Sequence, residues 1–237
     1  MTQPGGQVPR RADPFEQAFR LVDRSERTGG GFHFGAVRQT PHNGIDLFVP
    51  EGIPIQVPAH RAVLIGTTRE SSPAGRSMGN ALIFFIPNEG RPYFVSLLHL
   101  SPRTFQLLRR ERISIGTEVE MRPGGEGSPV AVTGRSATGA SGPHVHVSAT
   151  TEFQFGGRSY SADSFMEMHQ RGELGAYLRG KNFFALMPAA RYRDPSSLAG
   201  YLNPADLIRQ GALRMSSQPS PVLVARDVER AQSALIR

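Results

Sequence analysis

Short apolar runs separated by Gly, Pro and Asn dominate the chain from Phe32 to about Thr150. Runs of this length between turn residues are typical of β-strands. Such regular short strands favour an antiparallel sheet or sandwich over βαβ units. We therefore predict a mainly β (α+β) fold, with strands at residues 45–49, 54–57, 61–66, 80–86, 92–98, 117–121, 129–133 and 144–150.

Helical patterns flank this region and interrupt it once. Asp13 followed by Pro14 predicts a helix start, because Asp is a favoured N-cap and Pro fits the first helical position. A second helix is expected at 101–112, and two more at 161–180 and 203–213. The β core should therefore carry an N-terminal helix and a helical C-terminal extension.

These patterns divide the chain into four parts. Residues 1–30 form an N-terminal arm with a short helix, and residues 31–150 form the core. Residues 151–215 form a helical extension that we expect to pack on the core, and residues 216–237 form a C-terminal tail that starts with a Ser/Pro-rich linker.

Composition limits the chemistry that is open to this chain. It has 237 residues and no cysteine, so disulfides and thiolate zinc sites are excluded. A metal would have to be held by His, Asp, Glu or backbone oxygen. No apolar run is long enough to suggest a membrane span, and the N-terminal residues lack the apolar segment of a secretory signal peptide.

The net charge is +7, from 27 basic and 20 acidic residues, and Lys181 is the only lysine. A basic protein favours polyanionic surroundings such as nucleic acid, an acidic membrane surface or an anionic cell envelope. The alternative is a solvated surface of arginines without a partner.

The stretch SGPHVHVSA at 141–149 carries the first candidate chemistry. Side chains alternate faces along a strand, so His144 and His146 share one face while the intervening valines pack on the core. Two histidines at this spacing are a common arrangement of metal ligands, although the pattern alone is weak.

His42 and Asp46 form a second candidate pair. In a straight strand their Cα atoms would lie about 13 Å apart, too far to share an ion. The turn dipeptide Asn43-Gly44 between them allows the chain to bend, so the two side chains can converge. The alternative interpretation of this segment is a polar turn that binds no metal. His99, at the end of an apolar strand, is by itself best interpreted as a structural residue.

Taken together and in this order, the pieces resemble the lysostaphin-like (LytM-type) zinc metallopeptidases, which cut peptidoglycan cross-bridges. The resemblance covers roughly residues 32–150 and rests on the segments HNGIDLFVPEGIPIQVPA, GNALIFF, YFVSLLHLSP, IGTEVEMRPG and TGASGPHVHVSA. It implies an antiparallel β-sheet peptidase core.

The resemblance also implies roles for five residues. His42, Asp46 and His146 would hold one Zn²⁺ ion, and His99 and His144 would be catalytic. We assign general-base work to His144 and transition-state stabilisation to His99, but the sequence leaves open which histidine does which.

Two departures from the family pattern bear on rate and specificity. Ser96-Leu97-Leu98 stands where many members have a Tyr shortly before the histidine of the His-Leu motif. Ala36 and Val37 stand where many members have another Tyr before the first zinc ligand. A phenolic donor to the substrate would have to come from elsewhere.

The resulting hypothesis is a zinc-dependent endopeptidase that hydrolyses peptide cross-links of bacterial peptidoglycan, with the stem and cross-bridge peptides as partners. Glycine bridges and D-Ala–diaminopimelate links are both cut in this family, and we favour the direct link. The protein would act at the cell wall or in the periplasm. Because no signal peptide is seen, delivery by a phage tail or an injection apparatus, docked through the terminal arms, is a second hypothesis.

Two alternatives come from other classes. The chain could be a catalytically silent structural or regulatory module, such as a tail or envelope assembly component, that keeps the peptidase fold. A nucleic-acid-binding β-barrel ranks last, because the basic strands lack the interleaved exposed aromatic residues of such proteins. Nucleic acid is therefore not an expected partner.

Overall fold

The computed structural model describes residues 13–38, 40–73, 75–120, 129–136 and 142–217. Its elements are α1 (Pro14–Thr28), β1 (Ile45–Leu47), β2 (Pro54–Ile55), β3 (Arg61–Thr68), α2 (Gly75–Met78), β4 (Asn80–Ile86), β5 (Tyr93–Leu100), α3 (Arg103–Arg110), β6 (Glu118–Glu120), β7 (Ala131–Val132), β8 (Val145–Thr150), β9 (Glu152–Phe155), β10 (Arg158–Ser161), α4 (Ala162–Gln170), α5 (Leu174–Leu178), α6 (Ala189–Arg193), β11 (Tyr201–Leu202) and α7 (Pro204–Arg209). The predicted arm at 1–12 and the tail from 218 onward lie outside the described residues.

One antiparallel sheet organises the described part of the chain. Its strand order is β1-β8-β5-β4-β3-β6, and β11 lies beside β8 next to β1. Two further antiparallel pairs, β2 with β7 and β9 with β10, lie outside this sheet. The predicted fold class, a mainly antiparallel β core with added helices, is confirmed.

One face of the sheet is covered by α1, α3 and α7. Apolar side chains dominate the buried residues on this side, and they include Phe15, Val22, Ile45, Leu47, Phe84, Leu97, Val145, Val147 and Leu207. Each strand contributes alternate residues, as expected for a sheet that buries one row of side chains. The valines between the two histidines of β8 therefore pack in the core, as predicted.

The predicted first helix forms as its sequence signals require. The Asp13 Oδ1 atom accepts a hydrogen bond from the Phe15 amide at 2.9 Å, and Gly29, at φ 70°, ends the helix. The Asp13 Oδ2 atom accepts hydrogen bonds from Ser216 Oγ at 2.7 Å and from the Ser217 amide at 2.9 Å. One carboxylate thus caps α1 and holds the last described residues.

No described helix is long and apolar enough to cross a membrane.

The C-terminal extension packs on part of the opposite face. Its contact is an aromatic cluster, in which the rings of Phe85 and Phe94 from the sheet meet Phe153, Phe165 and Phe183 from the extension. The Phe183 amide donates to the Ile65 carbonyl at 3.2 Å, so the backbones of the extension and β3 also touch.

The extension differs from its predicted single helix at 161–180. The helix breaks at Gly172, which has φ 71°, so that α4 and α5 are separate. The hairpin β9–β10 was not predicted, and its turn at Gly156-Gly157 uses positive φ at both residues. Glycine adopts this conformation without steric cost, which explains the tight reversal.

The close packing of the extension against β3 predicts opposite effects for two glycine substitutions. A Cβ at Gly66 would lie 1.9 Å from the Phe183 carbonyl oxygen, so Gly66→Ala must displace the extension. We expect it to lower the free energy of unfolding by about 2 kcal/mol. Gly175→Ala in α5 meets only ordinary contact at 3.7 Å and should raise it by about 0.5–1 kcal/mol. Denaturant unfolding of both variants tests this, and equal effects would contradict the packing.

Candidate metal centre

The site starts from the pairing of β1 with β8. Asp46 lies directly opposite His146 in this antiparallel pair, so both side chains project from the same face. The Asp46 Oδ1 atom is 2.9 Å from His146 Nδ1. Both side chains are largely buried, at 7% and 12% exposure.

His42 reaches the same point from the loop before β1. Its Nε2 atom is 3.1 Å from Asp46 Oδ1 and 3.1 Å from His146 Nδ1. The bend at Asn43-Gly44 thus brings the two residues of the first motif together. The ring is fixed from behind, because His42 Nδ1 lies 2.9 Å from the His33 carbonyl oxygen and therefore donates to it.

Gly44 is required by the closeness of this loop to β8. A Cβ at position 44 would lie 2.2 Å from the Val147 carbonyl oxygen and 2.6 Å from His146 Nε2. Only glycine lets the backbone come this near.

The chemistry of the three groups fits a cation. Since His42 Nδ1 carries the hydrogen, a neutral His42 ring presents only a lone pair at Nε2, and this lone pair faces the lone pairs of Asp46 Oδ1. A positive charge between them removes the repulsion. Tetrahedral zinc ligands at about 2.0–2.2 Å from the ion lie about 3.3–3.6 Å from one another. The observed separations of 2.9–3.1 Å are close to this range.

Arg38 binds the other oxygen of the carboxylate. Its Nη2 atom donates to Asp46 Oδ2 at 2.7 Å, and its Nε atom donates to the Gly31 carbonyl at 3.0 Å. One oxygen of Asp46 is thereby held by a guanidinium and the other is left to the histidines. Arg38 was not predicted as a site residue, although it lies only four residues before His42.

The electrostatics of Asp46 favour its charged form. Burial opposes ionisation, but the neighbouring rings of His146 and His42 outweigh it and hold the pKa of the Asp46 carboxyl well below its usual range. The carboxylate is therefore anionic at any pH near neutrality, as a metal ligand must be.

His99 reaches the site through an irregularity in β5. Leu97 pairs with Val147 on the core face and Leu98 pairs with His146 on the site face, so strict alternation would turn His99 into the core. The register with β4 shifts here, and His99 adopts φ 65°, which is rare for a residue other than glycine. This β-bulge turns the imidazole to the site face and returns Leu100 to the core.

A buried polar network holds the bulge. The Asn80 side-chain Nδ2 donates to the Leu100 carbonyl at 3.1 Å, and the Asn80 backbone N–H donates to Ser136 Oγ at 2.7 Å. Ser136 also accepts a hydrogen bond from His99 Nδ1 through its carbonyl oxygen, at 2.9 Å. The network thus fixes both the backbone and the ring of His99.

His144 completes the group at the start of β8. Its Nδ1 atom donates to the Gly142 carbonyl at 2.8 Å, and its Nε2 atom lies 4.0 Å from Asp46 Oδ1. The ring stacks on Phe48, with centroids 5.4 Å apart, and its centroid is 4.7 Å from that of His99. Phe48 was not predicted as a site residue, but it follows β1 directly, two residues after Asp46, and its ring contacts that of His144.

His99 and His144 present the same atom to the site. Each uses Nδ1 to donate to a backbone carbonyl, so each neutral ring keeps Nε2 as a proton acceptor. Burial, followed by the nearby rings of His144 and His146, lowers the pKa of His99 to about 4, so its ring is neutral at pH 7.

The positions where the sequence departs from the family pattern have defined surroundings. Ala36 is buried and its carbonyl accepts from the His42 amide at 3.1 Å, whereas Val37 is 95% exposed. Ser96 pairs with Ser148, with their hydroxyl oxygens 2.6 Å apart, between the aromatic cluster and the histidines. Position 97 lies in the core, so only Ser96 and Leu98 face the site side.

Comparison with solved structures finds similar folds. LytU has 18% identity and a TM-score of 0.38, with 57% of this chain and 82% of that chain covered. The catalytic domain of lysostaphin, an antimicrobial peptidase from Staphylococcus simulans, has 18% identity and a TM-score of 0.36, with 58% and 90% covered. Lysostaphin itself has 16% identity and a TM-score of 0.37, with 67% and 55% covered.

No protein-family model matches the chain, and a search of curated proteins gives no match either. The similar solved structures belong to the family that the motifs resemble. At these identities and TM-scores the likeness carries no conclusion about activity, which has to come from the side chains of the site.

The strained backbone at His99 predicts an inverted order of stability for two variants. Glycine accepts φ 65° without the penalty that a Cβ brings, so His99→Gly should be more stable than His99→Ala by about 1 kcal/mol. At His144, where φ is not positive, Ala should be more stable than Gly by about 0.5–1 kcal/mol. Thermal unfolding of the four variants measures both differences, and the same order at both positions would refute the bulge conformation.

Proposed function

We propose that the protein is a zinc-dependent endopeptidase that hydrolyses peptide cross-links of bacterial peptidoglycan. The observation that carries this proposal is the joining of a three-ligand group, His42, Asp46 and His146, to two further imidazoles whose Nε2 atoms are free to accept protons. Three protein ligands are typical of a catalytic zinc, whereas a structural zinc has four.

His144 supplies the proton transfers. Zinc held by His42, Asp46 and His146 would acidify a water molecule and polarise a peptide carbonyl. His144 accepts a proton at Nε2 while its Nδ1–H remains hydrogen-bonded to the Gly142 carbonyl oxygen. His144 then returns the proton from Nε2 to the leaving amine. The stacked ring of Phe48 keeps the imidazole in the orientation that both transfers require.

His99 is suited to respond to negative charge. Its Nδ1–H remains bonded to the Ser136 carbonyl, and a protonated Nε2 presents an N–H to an anionic oxygen of the substrate. Because burial disfavours the imidazolium, the ring takes a proton from solvent water only where negative charge develops beside it. In this proposal His99 stabilises the negative charge of the transition state, whereas His144 acts as the general base.

The peptidoglycan substrate is supported by the ordered motifs across residues 32–150 and by the net charge of +7, which suits an anionic envelope. The five motif side chains lie next to one another, which supports catalysis over the silent module, since a module without catalysis does not need this grouping. Delivery by a phage tail or an injection apparatus, docked through the terminal arms, is part of the proposal.

Two substitutions separate ligand from catalyst. His146→Ala removes a ligand and should lose bound zinc, whereas His144→Ala should keep zinc and lose cleavage by about 10²–10⁴-fold. Bound zinc is measured by elemental analysis, and cleavage is measured with cross-linked muropeptides. His60→Ala, at an exposed histidine, is the matched control and should change neither.

Two outcomes would overturn the proposal. Full zinc content in His146→Ala removes that residue from the ligand set. A zinc-loaded protein that cleaves no cross-link of either chemistry favours the silent structural module.

A further inference from the structure

A cavity opens directly beside the candidate metal centre. It has a volume of about 390 Å³ and shares His42 with the three-ligand group. Its other lining residues are Arg38, Thr40, Pro41, Asn43 and Arg191. Four of these come from the loop that carries His42, whereas Arg191 comes from α6 in the C-terminal extension.

The charge of this cavity is one-sided. Two guanidinium groups line it, and none of its described lining residues is an acid. Arg38 is fixed by Asp46 and by the Gly31 carbonyl, so its position is set before any ligand arrives. Arg191 donates from Nη1 only to the Ser197 carbonyl, at 3.3 Å, among the hydrogen bonds of the described residues.

Asp194, in the same region, does not neutralise Arg191. It is exposed, and its Oδ1 atom already accepts hydrogen bonds from the Ser196 amide at 2.9 Å and from Ser196 Oγ at 2.6 Å. These bonds are the main reason that the pKa of Asp194 is lowered, and Arg191 contributes least. The guanidinium of Arg191 therefore keeps donors for a ligand.

We infer that this cavity binds a free carboxylate that the cross-link carries next to the scissile amide. Guanidinium groups bind carboxylates through paired, charge-assisted hydrogen bonds. In a direct cross-link the amine of the scissile bond belongs to a diamino diacid, whose carboxylate is attached to the carbon that bears this amine. A glycine bridge has no charge at that position, so the cavity selects the direct link.

This inference rests on the proposed function, because the cavity would read a substrate that the metal centre cuts. It also gives the extension a role at the site. Arg191 lies beyond the core at 31–150, so the segment that packs on the sheet also supplies the lining guanidinium that is not ion-paired with Asp46.

The test compares two soluble cross-linked peptides that differ only at this group, one with the free carboxylate and one with the carboxamide. The zinc-loaded full-length wild type should prefer the acid by about tenfold in kcat/KM, the effect of one charge-assisted hydrogen bond. Arg191→Gln should abolish this preference, chiefly through KM, and Arg191→Lys should retain part of it. Arg193→Gln, an exposed arginine on the same helix that does not line the cavity, is the matched control and should keep the preference.

A third peptide, with the carboxamide at the cross-link and a free carboxylate at the end of the stem, distinguishes the source of the charge. A preference for this peptide equal to that for the acid would assign the cavity to the terminal carboxylate and overturn the inference. An unchanged preference in Arg191→Gln would overturn it as well.

Binding without turnover separates this inference from the proposed function. Calorimetry with the cleaved half-peptides and the metal-free protein should show about tenfold tighter binding of the acid than of the carboxamide, and Arg191→Gln should remove this difference. If the zinc-loaded protein cuts no cross-link but this difference persists, the proposed function fails and the carboxylate site stands. Equal affinities for acid and carboxamide would refute the site whatever the activity.

Discussion

The register between β1 and β8 is the constraint on which the rest of this structure depends. Placing Asp46 opposite His146 builds two sides of the candidate metal centre, and it also places Ile45 and Leu47 against the valines of the core. Because side chains alternate, a slip of one residue would turn the core residues outward and separate Asp46 from His146. The free energy of the core therefore holds the geometry of the site.

The face that carries the histidines changes character along its length. At one end Phe85 and Phe94 are covered by the aromatic side chains of the extension, and at the other end the imidazoles gather around Asp46. Between them the hydroxyls of Ser96 and Ser148 form a buried pair. Extension and site thus share one sheet face, which explains how α6 can supply a residue beside His42.

Alternation and turn chemistry predicted much of this arrangement. The shared face of His144 and His146, the bend at Asn43-Gly44 and the capped first helix all follow from local rules, and the structure confirms these local features. The orientation of His99 could not be predicted in this way, since it depends on a bulge fixed by Asn80, 19 positions earlier in the chain. Local sequence carries no signal for such a tertiary network.

Arg38 and Arg191, beside the candidate metal centre, could not be predicted as site residues for the same reason. Arg38 and Arg191 gain their meaning only from the fold, because an arginine on an exposed loop or helix resembles a solvated charge in the sequence. The break at Gly172 has a local signal, but helical periodicity on both sides concealed it. The roles of the five motif residues remain predictions.

The double use of the Asp13 carboxylate has a topological consequence. By binding both the start of α1 and Ser216, it brings the two ends of the described chain to one point on the surface. The chain from 13 to 217 is therefore nearly a closed ring, and a short linker could join its ends at little cost in loop-closure entropy. New ends could then be opened at Gly90, in the exposed turn between β4 and β5, at the opposite end of β5 from His99. The same fold would then form from a chain in which the helices and strands are connected in a different order.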